Sequence, residues 1–131
     1  MDKIRKLIDL HEQLLVEALK LSQILLKQSE ARNVEVVAVA CEQREKLISL
    51  IEEVQDKIEL KLRTLKYINR PMKEDLDNWQ KNLKLVLEEI TYYDQHIVAL
   101  LNNEKDKTMQ EIAEIFSSKE KFRGYNLKDV R

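Results

Sequence analysis

The sequence predicts an all-α fold: an antiparallel up-down bundle of three long helices, the last continuing or breaking into a short fourth, with a flexible C-terminal tail. Three observations carry this. Gly124 and Pro71 are the only strong breakers in 131 residues, so helix propensity is favourable almost throughout. Apolar residues recur at gaps of three and four, the spacing of one helix face. The mixture of 44% apolar and 36% charged residues can bury one core and solvate the rest, as one ordinary domain does. The expected bundle is 1–118, with helices over 2–29, 34–69, 71–102 and 104–118, and 119–131 is the tail.

The first helix places Ile4, Leu7, His11, Leu14, Ala18, Leu21 and Leu25 on one seam. Ile8, Leu10, Leu15, Leu19 and Ile24 widen it beyond a two-stranded stripe, so more than one neighbour must cover it. In "QSEARNVE" the chain turns, and Asn33 is suited to cap the second helix by accepting from a first-turn N–H. That helix points Val37, Ala40, Arg44, Leu47, Ile51, Val54, Ile58, Leu62 and Leu65 inward, with a stutter between Val54 and Leu62. It is expected to run to "YINRPMKED", where Pro71 disfavours helical geometry at Arg70 and suits a new first turn.

The third helix has the most regular pattern: Met72, Leu76, Trp79, Leu83, Val86, Ile90, Tyr93, Ile97 and Leu100. Short turns between helices of about 45 Å give antiparallel neighbours. At "LLNNEKDKT", Asn102 and Asn103 either bend this helix or release a separate fourth one, with Met109, Ile112, Ile115 and Phe116 inward.

Composition narrows function by exclusion. A net charge of −1 gives no overall basic field, so nucleic acid is not an expected partner. Cys41 is the lone cysteine and "MDKIRKLIDLHEQ" lacks the apolar core of a secretory signal, which points to a reducing cytoplasm. No apolar run reaches the ~20 residues of a membrane span, so no insertion is expected.

Chemistry is sparse. His11 and His96 both lack a Glu three residues upstream, so neither fits a bundle metal motif. His11, on the seam, reads as a hydrogen-bonded core residue. Tyr92, Tyr93, Asp94 and His96 read as a mixed face with only Tyr93 inward. Cys41, in the small-residue run "VVAVAC", reads as buried filler rather than a reactive thiol. Arg44 either meets a carboxylate and sets helix register or snorkels outward from the stripe edge. No nucleophile–base pair, P-loop or dinucleotide fingerprint occurs. Neither an enzyme nor a cofactor is expected.

The stretch "ALKLSQILLKQSEARNVEVVAVACEQREKLISLIEEV" has a leucine-rich helix, a short polar turn, and a second helix with an Arg one turn before a Leu-Ile pair. In "YYDQHIVALLNNEKDKTMQEIAEIFSSKEKFRGYN" an acidic residue precedes a Leu-rich turn, an amphipathic segment follows, and a tyrosine comes just after. In these features the chain resembles the flagellar type III export chaperones of the FliT and FlgN kind, the second half favouring the FliT-like type. The resemblance implies a cytoplasmic protein that binds the C-terminal amphipathic helix of a filament-cap or hook-filament junction protein, prevents its premature assembly and delivers it to the export gate. It also implies that a tyrosine near the C-terminus docks on the gate's cytoplasmic domain; Tyr125 matches, supported by Phe122 and Leu127. Here the glycine precedes the tyrosine, whereas in the family it often follows.

A helix-in-groove mode needs an apolar stripe wider than the internal core consumes. Leu83, Leu87, Ile90, Ile97, Val98 and Leu101 are the expected client groove, opened if the segment after Asn102 and Asn103 swings away. Lys119, Lys121, Arg123, Lys128 and Arg131 outweigh Glu120 and Asp129, which also suits a merely solvated terminus. Homodimerisation is left open, as is the alternative function of a scaffolding bundle that acts by oligomerising, without client or catalysis.

Overall fold

The computed structural model describes residues 2–102 and 107–118. They form four helices: α1 (Asp2–Glu30), α2 (Val34–Arg63), α3 (Arg70–Asn102) and α4 (Lys107–Ser118). The all-α expectation holds, and α4 is a separate helix. The expected tail and residues 104–106 lie outside the described residues.

The first turn is built without glycine. Arg32 takes the left-handed conformation at φ 57°, its N–H donates to the Ser29 carbonyl at 3.1 Å, and the Asn33 N–H donates to the Gln28 carbonyl at 3.0 Å. This is the Schellman arrangement, which satisfies two end carbonyls of α1. Asn33 does occupy the N-cap of α2, but its side chain makes no capping bond; its carbonyl accepts from Val37 at 3.0 Å.

α2 ends at Arg63 rather than at 69. The Thr64 and Leu65 N–H groups donate to the carbonyls of Lys61 and Leu62, both at 3.2 Å, and Thr64 Oγ1 donates to Lys61 at 2.7 Å. Such i→i+3 bonds tighten the last turn and close the ladder. α3 then starts on a cap absent from the sequence reading: Asn69 Oδ1 accepts the Met72 N–H at 2.9 Å. Pro71 stands in the first turn, where its missing N–H costs nothing.

α1 and α3 run parallel in one register. Arg5 pairs with Asp75, Asn82 donates to Glu12 at 3.2 Å, and Gln23 donates to the Tyr93 hydroxyl at 3.4 Å. Each pair is separated by 70 positions. α2 runs the opposite way, which gives the expected up-down order. α1 packs against both α2 and α3, and α4 packs against α3 and α2.

The buried positions shift the expected seams by a fraction of a turn. On α1, Ile8 and Leu15, expected to flank, are fully inside, while Leu7, Leu14 and Leu21 are half-buried and Leu10 and Ile24 are exposed. On α3, Leu87 and Leu101 are buried, while Val86, Tyr93 and Leu100 are half-buried. The apolar interior falls into two parts. The larger joins α1, α2 and α3 from Ile4, Ile58 and Met72 up to Ala18, Ile51 and Ile90. The smaller joins Leu25, Val37, Ala40, Cys41, Ile97 and Leu101 to Met109, Ile112 and Ala113 of α4. Ile115, expected inward, is 38% exposed.

Candidate partner-binding site

α4 positions the first candidate surface. Met109, Ile112 and Ala113 fall at gaps of three and one, so they share one face of a helix of just over three turns. That face covers Ile97 and Leu101 of α3 and Val37, Ala40 and Cys41 of α2. A 12-residue helix is marginal by itself in water and is held by such packing. Its removal would expose a contiguous apolar surface at one end of the bundle.

The expected groove residues divide. Leu83, Leu87 and Ile90 belong to the three-helix core, and each is only 2% exposed. Ile97 and Leu101 lie under α4, and Val98 is half-buried. Displacing α4 therefore opens Ile97 and Leu101 with Leu25, Val37, Ala40 and Cys41, not all six residues in one groove. Phe122, Tyr125 and Leu127 lie outside the described residues.

Two polar arrangements sit inside the bundle. Arg44, on α2, donates from Nη1 and Nη2 to the two carboxylate oxygens of Asp94, both at 2.7 Å. The Arg44 side chain is 6% exposed and that of Asp94 23%, so the arginine points inward to a carboxylate and does not snorkel. Burial pushes the Asp94 carboxyl above its ordinary range, and the Arg44 guanidinium opposes that rise. Asp94 belongs to the inner spacing, four after Ile90 and three before Ile97. By apolar pattern Tyr93 falls there and Asp94 on a mixed face; both are half-buried, and Asp94 is the one that meets Arg44.

Deeper in the core, Trp79 Nε1–H donates to His11 Nδ1 at 3.1 Å, with the rings edge to face at 5.4 Å. His11 is the hydrogen-bonded core residue its seam position predicts. Since Nδ1 accepts, the proton of the neutral ring sits on Nε2. Burial lowers its pKa from 6.5 to about 4, with the Gln55 side chain acting in the other direction. Gln55, itself 2% exposed and donating to Glu59 at 3.3 Å, carried no sequence signal beyond its place between Ile51 and Ile58.

Among the described residues no group of three or more His, Cys, Asp and Glu side chains is placed to hold a metal ion. Cys41 is buried with its thiol free of any disulfide. His96 is exposed and its ring meets Tyr92 at 4.5 Å. A cavity of about 230 Å³ lies between the starts of α1 and α3, floored by Ile4, Ile8, Leu76 and Trp79 and rimmed by Arg5, Asp9, Glu12 and Asp75. Its lining contains no nucleophile–base pair. No described helix is long and apolar enough to cross a membrane.

Comparison with protein-family models, with characterised proteins and with solved structures found no match.

Proposed function

We propose that this protein is a cytoplasmic flagellar export chaperone of the FliT-like type. It binds the C-terminal amphipathic helix of a filament-cap protein, or of a hook-filament junction protein, keeps it from assembling early and delivers it to the export gate. Catalysis plays no part.

The observation that carries this proposal is the placement of α4, a short amphipathic helix seated on the apolar end surface of α2 and α3. A surface that accepts one amphipathic helix fits another presenting anchors at i, i+3, i+4 and i+7. The client gains the area that α4 gives up, so exchange depends only on the difference between the two affinities. Tyr125, with Phe122 and Leu127, is the gate-docking element by the sequence resemblance. Gel filtration of the protein mixed with a filament-cap C-terminal helix tests the proposal. Co-elution supports it, and two unshifted peaks oppose it.

A second reading is a scaffold that oligomerises without a client. Leu10 and Ile24 on α1 and Val39 and Leu50 on α2 are 42% to 55% exposed, which favours it. Sedimentation of the isolated protein separates the two: a monomer at micromolar concentration removes the scaffold.

A further inference from the structure

α2 and α3 are not a packed pair. No Cα atom of α2 comes within 8 Å of one of α3, whereas directly packed helices have axes 8–10 Å apart and Cα cylinders of radius about 2.3 Å. At one end of the bundle α4 fills the gap between them. One turn further along, the long arms of Arg44 and Asp94 bridge it. Below that pair the gap continues for the rest of α2.

The walls of the gap follow from helical spacing. On α2, Val34, Ala38 and Cys41 lie at the surface that α4 covers, and the same alternation of four and three leads on to Glu45, Ile48, Glu52, Gln55 and Glu59. On α3, Leu101 under α4 leads by the same steps through Asp94 and Thr91 to Leu87 and Gln80. Glu45, Glu52 and Glu59 stand seven residues apart on one face, about 10 Å between neighbours. All three are half-buried, while Glu42, Glu53 and Asp56 on the same helix are exposed. Leu87 borders the gap from the core side, in the cluster it shares with Ile51 and Val54 of α2.

We propose that the segment 119–131 of this same chain docks in this gap, its basic residues on Glu45, Glu52 and Glu59 and its apolar residues on Ile48 and Leu87. Three features select this occupant. α4 packs against both walls, α2 and α3, and ends at Ser118, so the segment follows directly on the helix that fills the end of the gap. The segment carries Lys119, Lys121, Arg123, Lys128 and Arg131 against Glu120 and Asp129, which complements an acidic wall at short, weakly screened distances. Phe122, Tyr125 and Leu127 supply the apolar groups that a merely solvated segment has no need of. Reach is sufficient: the gap from Cys41 to Glu59 is about 27 Å long, and 13 residues extend to about 43 Å. Taken with the export-chaperone proposal, Tyr125 is held against the bundle in the free protein and becomes available to a gate when the segment is released. That consequence alone rests on the chaperone reading.

The test uses the full chain, with a nitroxide label at Tyr125→Cys in a Cys41→Ala background and methyl relaxation as the readout. Ile48 and Leu87 methyl signals should broaden at least tenfold more than those of Leu10 on α1. Combining Glu45→Lys, Glu52→Lys and Glu59→Lys should abolish that broadening, and adding Lys121→Glu and Arg123→Glu should restore it. Zero-length amine–carboxyl crosslinking of the unmodified chain gives a second readout: links from Lys119, Lys121 or Lys128 to the three glutamates are expected. Equal broadening on both faces, broadening that survives the triple reversal, or links only between different chains would overturn the proposal. The last result would assign the gap to a second copy.

Discussion

Arg44 and Asp94 join α2 to α3 through two hydrogen bonds of 2.7 Å, spanning two helices whose backbones do not approach one another closely. The pair is bidentate and largely removed from water. Removal of either partner strands a charge in the bundle, which typically costs about 3 kcal/mol or more, whereas replacing both with apolar groups of similar size is often neutral. Arg44→Ala and Asp94→Ala should each lower unfolding free energy by about 3 kcal/mol in urea titration. Arg44→Met combined with Asp94→Leu should recover most of the loss. Additive losses in the double variant would mean that the pair does not act as a unit.

His11 makes stability depend on pH in a defined window. Its folded-state pKa is lowered from 6.5 to about 4, so between these values the unfolded chain binds more protons than the folded one. Stability therefore rises with pH across this window and is lost as pH falls from 6.5 towards 4; above 6.5 the group contributes no slope. The full effect is on the order of 3 kcal/mol. His11→Gln keeps an acceptor for Trp79 and cannot titrate, so its stability should be flatter than that of the parent between pH 6.5 and 4. Parallel curves for the two proteins over that range would contradict this assignment.

Much of the fold is legible in the sequence because burial by two neighbours imposes a wide apolar stripe. That same width is why the exact seam was not legible. Val86 and Leu87, or Leu100 and Leu101, fit the periodicity equally well, and an apolar Tyr93 looks a better inward residue than a charged Asp94. What decides is polar matching: Arg44 inside the bundle requires a carboxylate, and Asp94 is in register to supply it. Similarly, nothing in "TLKYIN" breaks a helix by propensity. α2 ends early because Asn69 caps the next helix and the chain must reverse before Pro71. The surface under α4 was half legible: Ile97 and Leu101 were named for it, but Leu83, Leu87 and Ile90 are consumed by the three-helix core.

Tyr125 separates gate docking from self-support. Tyr125→Ala should weaken binding to an export-gate cytoplasmic domain at least tenfold while leaving client affinity within twofold, as read by calorimetric titration of each partner. The midpoint of thermal unfolding should shift by no more than a few degrees if Tyr125 acts on a partner rather than in the bundle core. Unchanged gate binding would remove Tyr125 from that role.

The most direct measurement of the central claim is calorimetric titration of a filament-cap C-terminal helix into the full chain, into a Met109→Ala variant and into the chain truncated after Asn103. Met109, on the inner face of α4, is fully buried, and such truncations to Ala typically cost about 2–5 kcal/mol, so the variant loosens α4 without deleting it. If α4 covers the client surface, affinity rises from the full chain to Met109→Ala and again to the truncated chain. Equal or weaker binding by both altered proteins would contradict the claim that α4 and the client share one surface.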